Sequence, residues 1–153
     1  MKTNIILWAA AMLMLVSCGS DDESSATIYY KATCSSITFG NPAHEEYRDA
    51  IKAGLQGLQL IDDMSYFAQT ASAGSVAEAA AQCDDAAQTT YQGRLNSLSL
   101  LVLKQKVYLM NEEAYKAKGI MSFSDLPFSN LTLTFKLINS QSAQVVREYT
   151  ISL

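Results

Sequence analysis

The apolar stretch at residues 5–16 most constrains what this sequence can fold into. Lys2 precedes it, and the small residue Ser17 follows it. The stretch is shorter than the roughly 20 apolar residues that a membrane-spanning helix needs. A positive start, a short apolar middle and a small residue before the break are typical of a secretory signal peptide. We therefore predict that residues 1–17 are removed on export; the alternative is an uncleaved membrane helix or a buried core helix.

The end of this stretch reads Leu15-Val16-Ser17-Cys18. The four residues resemble the lipobox of bacterial lipoproteins. The resemblance implies cleavage before Cys18, attachment of a diacylglyceryl group to its thiol, and acylation of the freed amine. Several acyl chains, each contributing about 0.8 kcal/mol per buried CH₂, make an anchor that does not readily dissociate. We therefore expect the membrane to be a partner through the lipid at Cys18.

Residues 18–25 predict a short acidic tether behind the lipidated cysteine. A segment of low hydrophobicity and high charge stays solvated. Its residues Ser20, Asp21, Asp22 and Glu23 also resemble the surface-export signal of Bacteroidetes lipoproteins. That resemblance implies a lipid-anchored protein of the outer membrane, exposed at the cell surface. The alternative is a plain linker on a lipoprotein that faces the periplasm.

Residues 26–153 have the length of one domain. Without Lys2, the mature chain from Cys18 to Leu153 has ten basic and fifteen acidic side chains, a net charge near −5. Because no run of Lys and Arg occurs along the chain, nucleic acid and anionic lipid are poor partner candidates. The only tryptophan, Trp8, leaves with the signal peptide, which weakens any stacking platform for sugars.

Two cysteines, Cys34 and Cys83, remain for the folded domain. An even pair in an exported, oxidising compartment favours a disulfide. Such a bond would close a loop of roughly 50 residues and stabilise the fold by about 4 kcal/mol in the chain-entropy model. The alternative is two buried free thiols, because cysteine also behaves as a small apolar residue.

The first part of the domain predicts an extended segment and then a helix. Residues 26–40 are rich in β-branched and aromatic side chains, which favours one or two strands. Asn41 and Pro42 are typical of a helix start, so we expect a helix over about residues 42–70. The apolar positions that repeat at helical spacing are Ile51, Leu55, Leu58 and Ile61.

A second helix is predicted after a break at residues 72–74. Ser75 and Glu78 form a capping-box pattern, and Gly93 is predicted to end the helix. Gly54 and Gly57 in the first helix either weaken it or allow a neighbour to pack closely. We expect the two helices to form an antiparallel hairpin.

The C-terminal part predicts further strands. Residues 97–110 carry a continuous apolar run that suits a strand or a helix, and we favour a strand. Residues 111–119 are charged and predict a short helix or a hairpin loop. Residues 131–137 and 145–153 alternate apolar and polar side chains, which predicts an antiparallel hairpin, although Arg147 falls on the apolar face. The fold class is α+β: an antiparallel sheet of about four or five strands with a two-helix hairpin packed on one face.

No residue pattern predicts a catalytic, metal or cofactor site. The single histidine, His44, lies at a helix start without a ligand partner at the usual spacing. The acidic pairs at 62–63 and 84–85 lack a calcium-loop pattern, so we interpret them as solvated helix faces. Neither a Gly-x-Ser-x-Gly nor a Ser-x-x-Lys motif occurs. We therefore predict no enzyme, no metal and no cofactor.

Two hypotheses for function follow. The first is a non-catalytic binding or structural module at the cell surface, with a protein or other macromolecule as partner. The C-terminal strand, ending at Leu153, is a candidate edge for strand addition. The second is a periplasmic-facing inhibitor or immunity-type lipoprotein against a hydrolase or toxin, in which residues 111–125 would form a protruding loop.

Overall fold

The structure, a computed structural model, describes residues 23–153. The predicted signal peptide, the lipidation site Cys18 and the export-signal residues Ser20, Asp21 and Asp22 lie outside the described residues. The strands are β1 (Ser24–Phe39), β2 (Asp62–Ala73), β3 (Leu131–Asn139) and β4 (Gln144–Ser152). The α-helices are α1 (Arg48–Gly57), α2 (Val76–Asn96), α3 (Leu100–Met110) and α4 (Glu112–Ala117), with 3₁₀ turns at Pro42–Tyr47 and Phe123–Asp125.

The four strands form one antiparallel sheet in the order β2-β1-β3-β4. The long strand β1 pairs with β2 mainly through its first half and with β3 through its second half. The predicted C-terminal hairpin is confirmed, with Phe135 opposite Tyr149. The α+β fold class is therefore confirmed. Since β1 begins at Ser24, the last two residues of the predicted tether belong to the sheet.

The predicted first helix is too long. It ends at Gly57, and residues 62–70, assigned to that helix from the sequence, belong to the strand β2. Gln59 and Asp62 adopt left-handed backbone conformations, with φ of 60° and 58°. The Leu60 amide bonds back to the Leu55 carbonyl at 3.0 Å, which closes the helix end. The helical period of apolar residues stops at Ile61, and β-favouring residues follow it.

The predicted helical hairpin is wrong because β2 separates the two helices along the chain. Helix α2 begins as predicted, with the Ser75 side chain accepting a hydrogen bond from the Glu78 amide. It continues through Gly93 to Asn96 and packs on β2 and β1. Helix α1 packs on α3 instead. A Cβ added at Gly54 would lie 2.8 Å from Cγ2 of Val107, so this glycine allows the close contact of α1 with α3.

The predicted strand at residues 97–110 is a helix, α3. The Ser99 side chain caps it by accepting a hydrogen bond from the Val102 amide at 3.2 Å. Leu103 and Val107, one helical turn apart, are fully buried. The apolar run carried no period, and the tertiary packing against α1 decides for the helix. Residues 112–117 form the short helix α4, one of the two alternatives for that segment.

The core lies between the sheet and the helices, with Tyr91 near its centre. Tyr91 is fully buried, and its hydroxyl donates a hydrogen bond to the Leu60 carbonyl at 2.8 Å. Its ring meets those of Phe135 and Tyr149 edge-on. Helix α2 is thus held to the sheet through an aromatic cluster. Within the described residues, no helix is both long enough and apolar enough to cross a bilayer.

The predicted disulfide is corrected by the structure, in which Cys34 and Cys83 are both free thiols. The buried Cys83 thiol points at the carbonyl oxygens of Ala26 and Gln69, each 3.5 Å away. Cys34 lies eight positions beyond Ala26 on the same strand, which corresponds to roughly 26 Å at 3.3 Å per residue. A disulfide requires Cα atoms within about 7 Å of each other. The structure therefore agrees with the alternative, in which Cys34 and Cys83 are two free thiols.

Adding a reductant is therefore expected to leave the urea midpoint of the protein unchanged. No covalent bond links β1 to α2, so reduction removes no constraint from the unfolded chain. The measurement is urea unfolding followed by far-UV circular dichroism, with and without dithiothreitol. A Cys34→Ser variant, which is unable to form the bridge, is the control and should be equally insensitive. A reductant-dependent fall of the midpoint in the parent chain alone would instead restore the disulfide.

Candidate binding surface

The helices leave one face of the sheet uncovered. Its side chains come from alternate positions of each strand, because successive residues of a strand point to opposite faces. Much of this face is serine and threonine. The Ser25 and Ser72 hydroxyls lie 3.0 Å apart, and those of Thr27 and Thr70 lie 2.9 Å apart, as neighbouring pairs across β1 and β2. The result is a polar, hydrogen-bonded surface over this part of the sheet.

A group of larger apolar side chains crosses the same face from β2 to β4. Tyr29 and Tyr66 are 46% and 51% exposed, and their rings stack with centroids 5.5 Å apart. Ile138 on β3 lies opposite Val145 on β4, which is 50% exposed. Met64, at the start of β2, is 60% exposed. We call these five residues, Met64, Tyr66, Tyr29, Ile138 and Val145, the apolar band.

The apolar band has the chemistry of a contact surface. Exposed aromatic and methionine side chains grouped on one face favour association, because a partner that covers them buries much apolar area. Lys31, opposite Ile138 on β1, and the ion pair of Lys136 with Glu148 at 3.7 Å bring charge beside the band. No nucleophilic thiol or histidine belongs to the band. The surface is suited to binding.

A polar groove lies on the other side of the sheet, between α2 and the β3–β4 connection. Its volume is about 360 Å³, and its lining includes Asp84, Asp85 and Asn139. Asp84 accepts hydrogen bonds from the Tyr30 hydroxyl at 2.6 Å and from the Asn139 amide at 3.2 Å. Burial is the main cause that raises the pKa of Tyr30, and the hydrogen bond to the Asp84 carboxylate raises it further. Asp84 is therefore a tertiary contact that joins α2 to the sheet, which corrects its interpretation as a solvated helix face.

The other residues considered for chemistry are spread over the molecule. His44 lies in the first 3₁₀ turn, half-buried, with Nε2 3.5 Å from Nδ2 of Asn41. Asp62 and Asp63 lie at the start of β2. Among residues 23–153, no group of three or more His, Cys, Asp or Glu side chains is placed to hold a metal ion.

Cys34 borders a small cavity of about 120 Å³ near Arg48 and Lys52. Burial raises the pKa of its thiol, although a backbone hydrogen bond with Ser36 and the two cations act in the opposite direction. Burial likewise raises the pKa of the Cys83 thiol. Both thiols are thus held in the protonated, less nucleophilic form.

The sequence did not identify the apolar band. Met64 and Tyr66 were assigned to a helix, so their position beside Tyr29 was not predicted. The strand-favouring residues Tyr66, Phe67 and Thr70, which follow the last helical repeat at Ile61, are the sequence signal that would have found them. Comparison with protein families, with curated proteins and with solved structures finds no match in any of the three.

Proposed function

We propose that this protein is a lipid-anchored, non-catalytic binding module that contacts a protein partner through the uncovered face of its sheet. The observation that carries the proposal is the apolar band. Four of its five side chains are between 46% and 60% exposed. They lie on one face and at one level of the sheet, where a folded protein in water normally places polar residues.

The distribution of chemistry in the domain supports binding over catalysis. Asp84, which lines the polar groove, is engaged in holding α2 to the sheet. The thiols are kept protonated by burial. The apolar band, in contrast, has rigid aromatic rings that stack on one another in the free protein. Pre-stacked rings lose little conformational freedom when a partner covers them.

The cell-surface location is part of the same proposal and is supported by the sequence at Cys18 to Glu23. Lipid attachment at Cys18 would place the domain a few residues from the membrane, because β1 begins at Ser24. The acidic residues Asp21, Asp22 and Glu23 would keep the connection solvated. The expected partner is therefore another exported protein or a protein displayed on a neighbouring surface.

The test is site-specific photo-crosslinking of the full chain on intact cells. A photoreactive amino acid replaces Tyr29, in the middle of the apolar band, or Gln92, an exposed residue of α2 on the covered side. We expect a discrete light-dependent adduct with a second protein from position 29 and none from position 92. In the chain that carries the photoreactive residue at position 29, the additional substitution Tyr66→Ser should reduce the yield of the adduct about tenfold, because it removes an aromatic side chain from the contact.

Equal adducts from positions 29 and 92, or none from position 29, would contradict the proposed contact surface. The same cells, treated with a protease before lysis, test the location. Digestion on intact cells is expected for a domain displayed outside. Protection until the cells are lysed would place the domain in the periplasm and favour the inhibitor or immunity-type hypothesis.

A further inference from the structure

The two edges of the sheet differ in how they are protected against strand addition. The β4 edge carries Arg147 and Glu148, and the pairing of β3 with β4 shifts register between Leu137 and Ile138. Charged side chains and irregularities of this kind are the usual protection of an edge strand. The C-terminal strand, named from the sequence as a candidate for strand addition, is therefore the protected edge.

The β2 edge has no such protection over residues 67–73. This segment reads Phe-Ala-Gln-Thr-Ala-Ser-Ala and contains no charged residue, no proline and no glycine. It pairs regularly with β1, from Tyr30 opposite Phe67 to Ser24 opposite Ala73. Within residues 23–153, no further strand pairs with its outer side. A regular, uncharged edge of this length is a template for another strand.

The helix beside this edge is also uncharged where it faces β2. The Gln69 side chain donates a hydrogen bond to the Thr90 hydroxyl at 2.9 Å, so this flank of α2 faces the edge strand. At helical spacing from Thr90, the same flank continues through Ala86 and Gln82. The charged residues of this flank, Glu78 and Arg94, lie one helical turn beyond its two ends, and Arg94 donates a hydrogen bond to the Ser65 carbonyl at 3.0 Å.

We propose that a second copy of this chain docks on the β2 edge, so that two sheets join through antiparallel β2–β2 pairing over residues 67–73. In a chain with a formal net charge of −4, this edge and its flank bring no like charges together. With the twofold axis near Thr70, Phe67 lies opposite Ala73 and Ala68 opposite Ser72 of the second copy. Every pair in the segment is uncharged.

The same symmetry brings the two α2 helices side by side on the covered face. Helices that pack at about 8–10 Å need small side chains at the contact, and Ala86 with Thr90 provides them. The uncovered faces of the two sheets then become one continuous surface of eight strands. This inference is independent of the proposed partner of the apolar band, because the edge segment and the band are different residues.

The experiment is cysteine crosslinking in the full, membrane-attached chain. Opposite residues of an antiparallel pair have Cα atoms about 4.5–5.5 Å apart, which lies within the range of a disulfide, about 4.4–6.8 Å. Ala68, Thr70 and Ser72 are exposed on the uncovered face. Thr70 lies opposite Thr70 of the second copy and is replaced alone by cysteine, whereas Ala68 lies opposite Ser72 and the two are replaced together. We expect an oxidant-dependent, disulfide-linked dimer from Thr70→Cys and from the double variant Ala68→Cys with Ser72→Cys. Ala68→Cys alone should give none, because its two copies would lie roughly 13 Å apart at 3.3 Å per residue. The matched control is Thr150→Cys on β4, which is equally exposed and should stay monomeric.

A second variant tests the pairing itself. The double substitution Ala68→Lys and Ser72→Lys places lysines opposite one another, which should reduce the Thr70→Cys dimer about tenfold or more. The inference is overturned if neither Thr70→Cys nor the double cysteine variant gives a dimer, or if Thr150→Cys gives one equally well. It is also overturned if the β2 positions give an adduct with a different protein in place of the dimer.

Discussion

Replacing Tyr91 by alanine is expected to lower the free energy of unfolding by about 3–5 kcal/mol, the usual cost of deleting a buried aromatic ring. Tyr91 is fully buried, and its ring contacts both Phe135 and Tyr149 across the core. Truncation leaves a cavity at the junction of α2 with the sheet, where the strands limit relaxation. Urea unfolding followed by far-UV circular dichroism measures the change.

Tyr91→Phe is the matched variant because it keeps the ring and removes only the hydroxyl. That hydroxyl donates to the Leu60 carbonyl at 2.8 Å, so the variant leaves a carbonyl without its partner and should cost about 1–3 kcal/mol. The order of stability is therefore parent, then phenylalanine, then alanine. If the alanine variant unfolded at the urea concentration of the parent, the placement of Tyr91 in the core would be wrong.

Substituting Gly54→Val is expected to destabilise the protein by about 1–3 kcal/mol through overpacking. A Cβ at this position lies 2.8 Å from Cγ2 of Val107 and 3.3 Å from Cδ1 of Leu103. Both neighbours are fully buried side chains of α3, so neither can move without displacing others. Helix propensity alone predicts the opposite sign, because valine is a better helix former than glycine.

Gly93→Val is the matched control for that substitution. Gly93 also lies inside a helix, but no atom lies within 4 Å of a Cβ built there. Only the propensity term remains, so we expect a small gain of stability, up to about 0.5 kcal/mol. Equal effects of the two substitutions on the free energy of unfolding would mean that α1 and α3 do not pack closely through Gly54.

The elements with a clear local period were predictable from the sequence. Residues 26–40 are rich in β-branched and aromatic residues, and the hairpin at 131–153 alternates apolar and polar residues; both predictions are confirmed. The start of α2 was predictable because a single side chain, Ser75, caps it. The segments whose secondary structure was predicted wrongly lacked such a signal. The apolar run within residues 97–110 carries no clear period, and the contact of α3 with Gly54 of α1 decides for a helix there.

The candidate surface was less predictable than the fold class. Its two halves, Tyr29 on β1 and Tyr66 on β2, are distant in the sequence and meet only through the pairing of the two strands. The assignment of residues 42–70 to one helix hid this pairing. Similarly, Asp84 reads as an ordinary exposed helix residue until the fold brings Tyr30 and Asn139 to its carboxylate.

The sequence by itself determined the α+β class and the C-terminal hairpin, and the export signal and the lipid attachment at Cys18 are predictions that depend on the sequence alone. Each depends on residues close together along the chain, where spacing alone carries the physical information. Only the tertiary structure decided that α1 packs on α3, that Cys34 and Cys83 are apart, and that one face and one edge of the sheet are open. Those properties arise from contacts between residues far apart in the sequence, because strand order and helix packing are set by burial of the whole chain.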